Sequence, residues 1–87
     1  MEYKLDFSER AQADIDFFKR SGNHVALKKI LILLEEITES PFTGTGKPEM
    51  LKYNLSGCWS RRINQEDRLV YEMIDDRILI HSARGHY

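Results

Sequence analysis

Apolar and polar positions along the chain change period several times, and each change marks an element. Tyr3-Lys4-Leu5-Asp6-Phe7 alternates with period two and predicts a first strand. Ser8 is a good helix N-cap and Glu9 an acid suited to the first turn. Ala11, Ile15 and Phe18 then recur at helical spacing until Ser21-Gly22-Asn23 closes the helix. Asn23 can cap a second helix, whose apolar face runs through Val25, Leu27, Ile30, Leu31, Leu34 and Ile37. Ile32 and Leu33 widen that face almost all round, which predicts contacts on two sides. Ser40-Pro41 ends the helix, because a residue before proline is pushed out of the α region.

A Gly/Pro loop, Gly44 to Pro48, follows and tightens again around Asn54-Leu55-Ser56-Gly57. From Cys58 to Ile63 the alternation returns, with Trp59, Arg61 and Ile63 on one face and Cys58, Ser60 and Arg62 on the other. Asn64-Gln65-Glu66-Asp67 is a polar turn. Leu69, Tyr71 and Met73 oppose Val70, Glu72 and Ile74 on the next strand, Asp75-Asp76 turns the chain, and Arg77 to Ala83 makes a last strand. The order β-α-α-β-β-β predicts an α+β fold: an antiparallel sheet with a two-helix hairpin packed on one face. The opposite face is then left to solvent or to a ligand.

Length changes little in this picture: 87 residues make a single domain, 1–87, with one core. The longest apolar runs are far too short for a bilayer, and MEYKLDFSER lacks the layout of a signal peptide. A cytoplasmic protein with no membrane association is expected. One cysteine excludes an internal disulfide, and His24, His81 and His86 show no metal-ligand spacing, so no structural metal and no cofactor are expected. Charge does change the picture. The net value is −1, yet residues 1–40 hold six Lys/Arg against eight Asp/Glu and residues 41–71 hold five against three. Such a local basic patch suits phosphate contact better than long-range wrapping of nucleic acid.

The candidate chemistry lies in that patch. Glu49 stands isolated among Lys47, Lys52, Arg61, Arg62 and Arg68, and the sequence closes on Arg84-Gly85-His86-Tyr87. RNA carries its own nucleophile, the 2′-OH, beside the scissile phosphate. A protein must then add a base, an acid for the leaving oxygen and cations for the charged intermediate. An acid, several cations and an imidazole fill those roles without a metal. Blander readings stand beside this one. Glu49 is equally a solvated loop acid or a partner for Lys52. Alternation lets at most one of Arg61 and Arg62 reach a given site, and Arg61, beside Trp59 and Ile63, reads as a packing or ion-pair residue. Trp59 reads as core before base-stacking surface, and Cys58 as structural filler.

The run GKPEMLKYNLSGCWSRRI, the following RLVY and the closing His86-Tyr87 resemble the YoeB/Txe family of bacterial toxins in the RelE superfamily. The resemblance is close over the second half of the chain, and the first half follows the family's strand-helix-helix layout. It implies a ribosome-dependent endoribonuclease that cuts mRNA in the ribosomal A site and is neutralised by a YefM/Axe-type antitoxin. Operator DNA would be met only through the antitoxin complex, and a homodimer is compatible with the family. The resemblance also implies roles. Glu49 is the general base, Arg68 stabilises the transition state, and His86 is the general acid with Tyr87 beside it. Lys52 and Arg62 contact phosphate or RNA, with Lys47 as a further contact. Asp67 stands before Arg68 in place of a histidine of the family pattern, and Cys58 in place of an aromatic; Asp67 is placed to pair with Arg68 and weaken its hold on phosphate. The alternative of a different class is a non-catalytic RelE-like binding module that acts with its antitoxin in transcriptional autoregulation.

Overall fold

The computed structural model describes residues 3–52 and 55–85. In chain order these form β1 (Lys4–Phe7), α1 (Glu9–Arg20), α2 (His24–Glu39), β2 (Glu49–Met50), β3 (Cys58–Arg62), β4 (Arg68–Ile74) and β5 (Arg77–Ser82). The expected caps form. The Ser8 side chain accepts from the Ala11 amide at 3.0 Å and that of Asn23 from the Ala26 amide at 3.1 Å. Ser40, outside the α region before Pro41 (φ −138°, ψ 80°), closes α2.

The sheet order is β1-β5-β4-β3-β2. Its centre is the expected antiparallel meander, β3-β4-β5. Two details add to the expected class. The residues Glu49 and Met50, read as the end of a loop, form a two-residue edge strand against Ser60 and Trp59. A pair that short carries no period to read. The N-terminal strand lies parallel to β5, with Lys4 opposite Arg77 and Phe7 opposite Ile80, so the sheet is mixed. Asp6 and Arg77 clamp this edge through two contacts of 2.6 Å.

Both helices cover one face of the sheet. Ala11 and Phe18 of α1 and Ile30, Leu33 and Ile37 of α2 bury against Leu69, Tyr71, Ile78 and Ile80. Leu33 fits the broad apolar face that the sequence predicts for α2. Val25 and Leu31, expected on the main apolar face, remain 82% and 65% exposed, and Ile32, expected with Leu33 to widen that face to a second side, remains 42% exposed.

Arg61 lies inside this face with its side chain fully buried. Its Nε donates to the Tyr71 hydroxyl at 3.1 Å, and its terminal nitrogens donate to the Ser40, Thr43 and Thr45 carbonyls and to Glu36 Oε1 at 3.3 Å. Tyr71 in turn donates to the Pro41 carbonyl at 2.6 Å. Together they fasten the loop between α2 and β2 carbonyl by carbonyl. Hydrogen bonding from Thr45, followed by the Arg61 charge, holds the Glu36 carboxyl below the usual carboxylate range. The loop passes close, and at two glycines left-handed backbone disfavours any side chain. At Gly44 (φ 125°) an added Cβ would sit 2.5 Å from Glu36 Oε1, and at Gly46 (φ 84°) 3.0 Å from the Arg62 carbonyl.

Removing a buried charge that satisfies several carbonyls strands all of them. Arg61→Met therefore lowers stability by about 3–5 kcal/mol, and Arg61→Lys, which keeps the charge but loses the planar fork, by about 2 kcal/mol. Urea unfolding checks both values. A loss below about 1 kcal/mol for Arg61→Met would mean that water replaces the arginine at these carbonyls.

Candidate nucleic-acid interface

Residues directly opposite in an antiparallel pair share a face, and the register fixes which ones do. Glu49 opposes Ser60, Arg62 opposes Arg68, and Cys58 opposes Glu72. All six lie on the side of the sheet away from the helices. Trp59 and Arg61 point the other way, as alternation predicts. Trp59 is half-buried against the core and packs on Phe42 with its ring tilted, the ring centroids 4.9 Å apart.

Arg68 opens β4 with its side chain 19% exposed, and its Nη1 lies 3.4 Å from Glu49 Oε2. Among the described residues the partner of Glu49 is thus Arg68, across the sheet, and not Lys52. Glu49 is 64% exposed, and a pair so open to water is weak and easily parted by a ligand. The Arg68 amide donates to the Gly85 carbonyl at 3.0 Å, and the Gly85 amide donates to Asp67 Oδ1 at 2.9 Å. Asp67, expected to pair with Arg68, holds the backbone of the C-terminal segment beside it instead. His86 and Tyr87 lie outside the described residues.

Arg62 is exposed, and its amide donates to the Gly46 carbonyl at 2.8 Å. It lines a hollow of about 400 Å³ with Gly46, Lys47 and Lys29. Lys29 belongs to no motif and was not singled out from the sequence, because only the docking of α2 brings it to this loop. Lys47 is exposed, in left-handed backbone (φ 51°). Lys52 is exposed just beyond β2, where the Leu51 amide donates to the Cys58 carbonyl at 2.9 Å. Ser60, between Glu49 and Val70 in the register, is fully buried, and its hydroxyl has no partner among the described residues. Cys58 is buried, and desolvation and the Glu72 charge push its thiol up, the reverse of what a nucleophile needs.

The arrangement groups Arg62 and Arg68 across one strand pair, a carboxylate on the second of these, and further lysines at the loop side. Two like charges directly opposite destabilise a sheet, and an anion between them relieves the strain. Arg62→Gln is therefore expected to raise stability at low salt by about 0.3 kcal/mol, while weakening binding of single-stranded RNA and flattening its salt dependence. Thermal melts and fluorescence-anisotropy titrations at two salt concentrations read both effects. Unchanged RNA affinity would remove Arg62 from the interface.

Comparison with known proteins spans nearly the whole chain. A family model described as the YoeB-like toxin of bacterial type II toxin-antitoxin system matches residues 7–87. The chain is 46% identical over 84 residues to Toxin YoeB of Escherichia coli K12, covering 97% of this chain and 99% of that one. It is similar to the structure of the YoeB dimer from Staphylococcus aureus, at a TM-score of 0.89 and 42% identity over the full length of both chains. The YoeB-YefM complex from Staphylococcus aureus gives a TM-score of 0.86 at 43% identity, again over both full lengths.

Proposed function

The chain belongs to the YoeB-like toxins of bacterial type II toxin–antitoxin systems, and from that premise we propose that it is a ribosome-dependent endoribonuclease cleaving mRNA in the A site. The observation that carries this reading is the placement of Arg68 on the open face of the sheet. It has Glu49 at 3.4 Å, Arg62 directly across, and the backbone of Gly85, the residue before His86, hydrogen-bonded to its own amide.

In the proposed reaction Glu49, released from Arg68 by the incoming phosphate, takes the proton of the 2′-OH. The 2′-oxygen then attacks the adjacent phosphorus. Arg68 and Arg62 carry the charge that builds on the equatorial oxygens, with Lys52 and Lys47 contacting flanking phosphates. His86 gives its proton to the leaving 5′-oxygen, and Tyr87 assists beside it. Proton transfer by a positioned group contributes about 10²–10⁴-fold and an aligned donor about 10²–10³-fold. DNA lacks the 2′-OH and is not a substrate.

A YefM-type antitoxin is the proposed partner. An acidic segment that folds on binding would meet Arg62, Arg68 and Lys52 together. The exposed apolar residues Leu31 and Ile32 offer a further surface for the antitoxin or a second copy of the toxin.

Purified chain added to ribosomes programmed with a defined mRNA tests the proposal. Cleavage should require the ribosome and fall within the A-site codon. Arg68→Lys should lose roughly 100-fold in rate, since a point charge replaces a fork able to bridge two oxygens, with the fold retained by circular dichroism. A near wild-type rate would transfer the role to another cation. No cleavage by the wild-type chain, with operator binding alongside its antitoxin intact, would favour a regulatory binding module.

A further inference from the structure

The open face carries a second cluster that the proposed cleavage does not use. Cys58 of β3 and Glu72 of β4 are directly opposite in the register, so their side chains emerge side by side. His81 reaches them from β5 through an irregularity: Val70 pairs with Ser82 while Tyr71 pairs with Ile80, leaving His81 as the extra residue of a β-bulge. A bulge re-aims a side chain, and here it brings His81 Nε2 to 2.9 Å from Glu72 Oε1. The bulge is held from the helix side. The Ser8 hydroxyl donates to the His81 carbonyl at 2.8 Å, and Asp14 Oδ2 accepts from the Ala83 amide at 2.9 Å.

The donor atoms of Cys58, Glu72 and His81 all lie within 4.8 Å of one another. They face a hollow of about 460 Å³ that is also lined by Arg10, Leu55, Val70 and Ser82. We propose that Cys58, Glu72 and His81 bind a divalent ion of the zinc class, with a fourth coordination position open to this hollow.

The donor set decides the class of ion. One sulfur, one imidazole nitrogen and one carboxylate oxygen suit zinc and its borderline neighbours, whereas magnesium and calcium take oxygen alone. With bond lengths of about 2.0–2.3 Å, ligand atoms on one tetrahedral ion lie roughly 3.3–3.8 Å apart. The three atoms reach that spacing by side-chain adjustment, the His81–Glu72 contact widening slightly to admit the ion. Three protein ligands with solvent access define an open site and not a closed structural one. Arg10, the nearby cation on the rim, is engaged by Asp14 at 3.5 Å and by the Arg84 carbonyl at 3.3 Å. Glu72 stands four residues along β4 from Arg68, roughly 13 Å at the rise of a strand. The ion would therefore share the open face without touching Glu49 or Arg68, and its binding is independent of the cleavage reaction.

Titration of the tag-free chain with Zn²⁺ against a chromophoric chelator, and with Co²⁺ by absorption, tests the proposal. One ion per chain is expected, with the visible bands of four-coordinate Co²⁺ and a thiolate-to-metal charge-transfer band. Cys58→Ser should abolish the charge-transfer band. His81→Gln and Glu72→Gln should each weaken Zn²⁺ at least tenfold, a ligand mattering no less than its supporting partners. His24→Gln should leave binding unchanged. Glu72→Gln is half-exposed and of equal shape, so it keeps the test decisive where His81→Gln fails to fold. Absence of stoichiometric Zn²⁺ binding would overturn the site. So would binding that survives Cys58→Ser and Glu72→Gln, or binding lost instead in His86→Gln.

Discussion

The buried fork of Arg61 is the constraint on which the rest of the structure depends. It fills a core position of β3, yet every donor it spends goes to Tyr71, to Glu36 or to the loop that follows α2. That loop has no regular structure of its own, so its carbonyls need partners, and one planar cation with five donors supplies several. Gly44 and Gly46 are the complement of this arrangement, since their positive φ disfavours a side chain and the backbone passes close to its neighbours there. The consequence appears at the far end of the loop. Once residues 40–46 are fixed, β2 is delivered to the sheet edge with Glu49 opposite Ser60 and within reach of Arg68. A core arginine thus positions a surface acid that it does not touch.

The same alternation that buries Arg61 exposes Arg62, and this one-residue step separates structure from chemistry. On the helix side, Leu69, Tyr71, Ile78 and Ile80 close the core. On the other side the strands present Glu49, Arg62, Arg68, Glu72 and His81, with neither α1 nor α2 over them. Each weak contact there is one that a ligand can replace: an exposed acid on a cation, and two arginines facing each other across a strand pair. A face of this kind gives up a little stability, and the apolar face compensates.

Much of this was legible in the sequence because it follows short periods. The two helices, their caps, the three-strand meander and the opposite directions of Arg61 and Arg62 all follow from spacing and turn residues. The order of the motif residues Glu49, Lys52, Arg62 and Arg68 carried the family resemblance. What escaped depends on contacts distant in sequence. Two residues of β2 are too few to show alternation, so the pairing of Glu49 with Arg68 needed the register. The side chain of Asp67 was expected to turn to its neighbour Arg68, but the return of Gly85 offers it an amide. Lys29 joins Lys47 and Arg62 only through helix docking, and the bulge that brings His81 to Glu72 and Cys58 breaks the very alternation by which a strand is read.

The claim at the centre is that the acid and the arginines on the open face cut RNA through its own 2′-oxygen. The chemical ends of the fragments test it most directly. Messenger RNA cleaved on the ribosome by the purified chain should yield 2′,3′-cyclic phosphate on the upstream fragment and 5′-hydroxyl on the downstream one, as mass spectrometry of the isolated ends would read. A single 2′-deoxy substitution at the cleaved nucleotide should block the cut. Fragments carrying 5′-phosphate, or a cut that survives the 2′-deoxy substitution, would mean that water or another nucleophile attacks, and would contradict the assignment of Glu49 as base and His86 as acid.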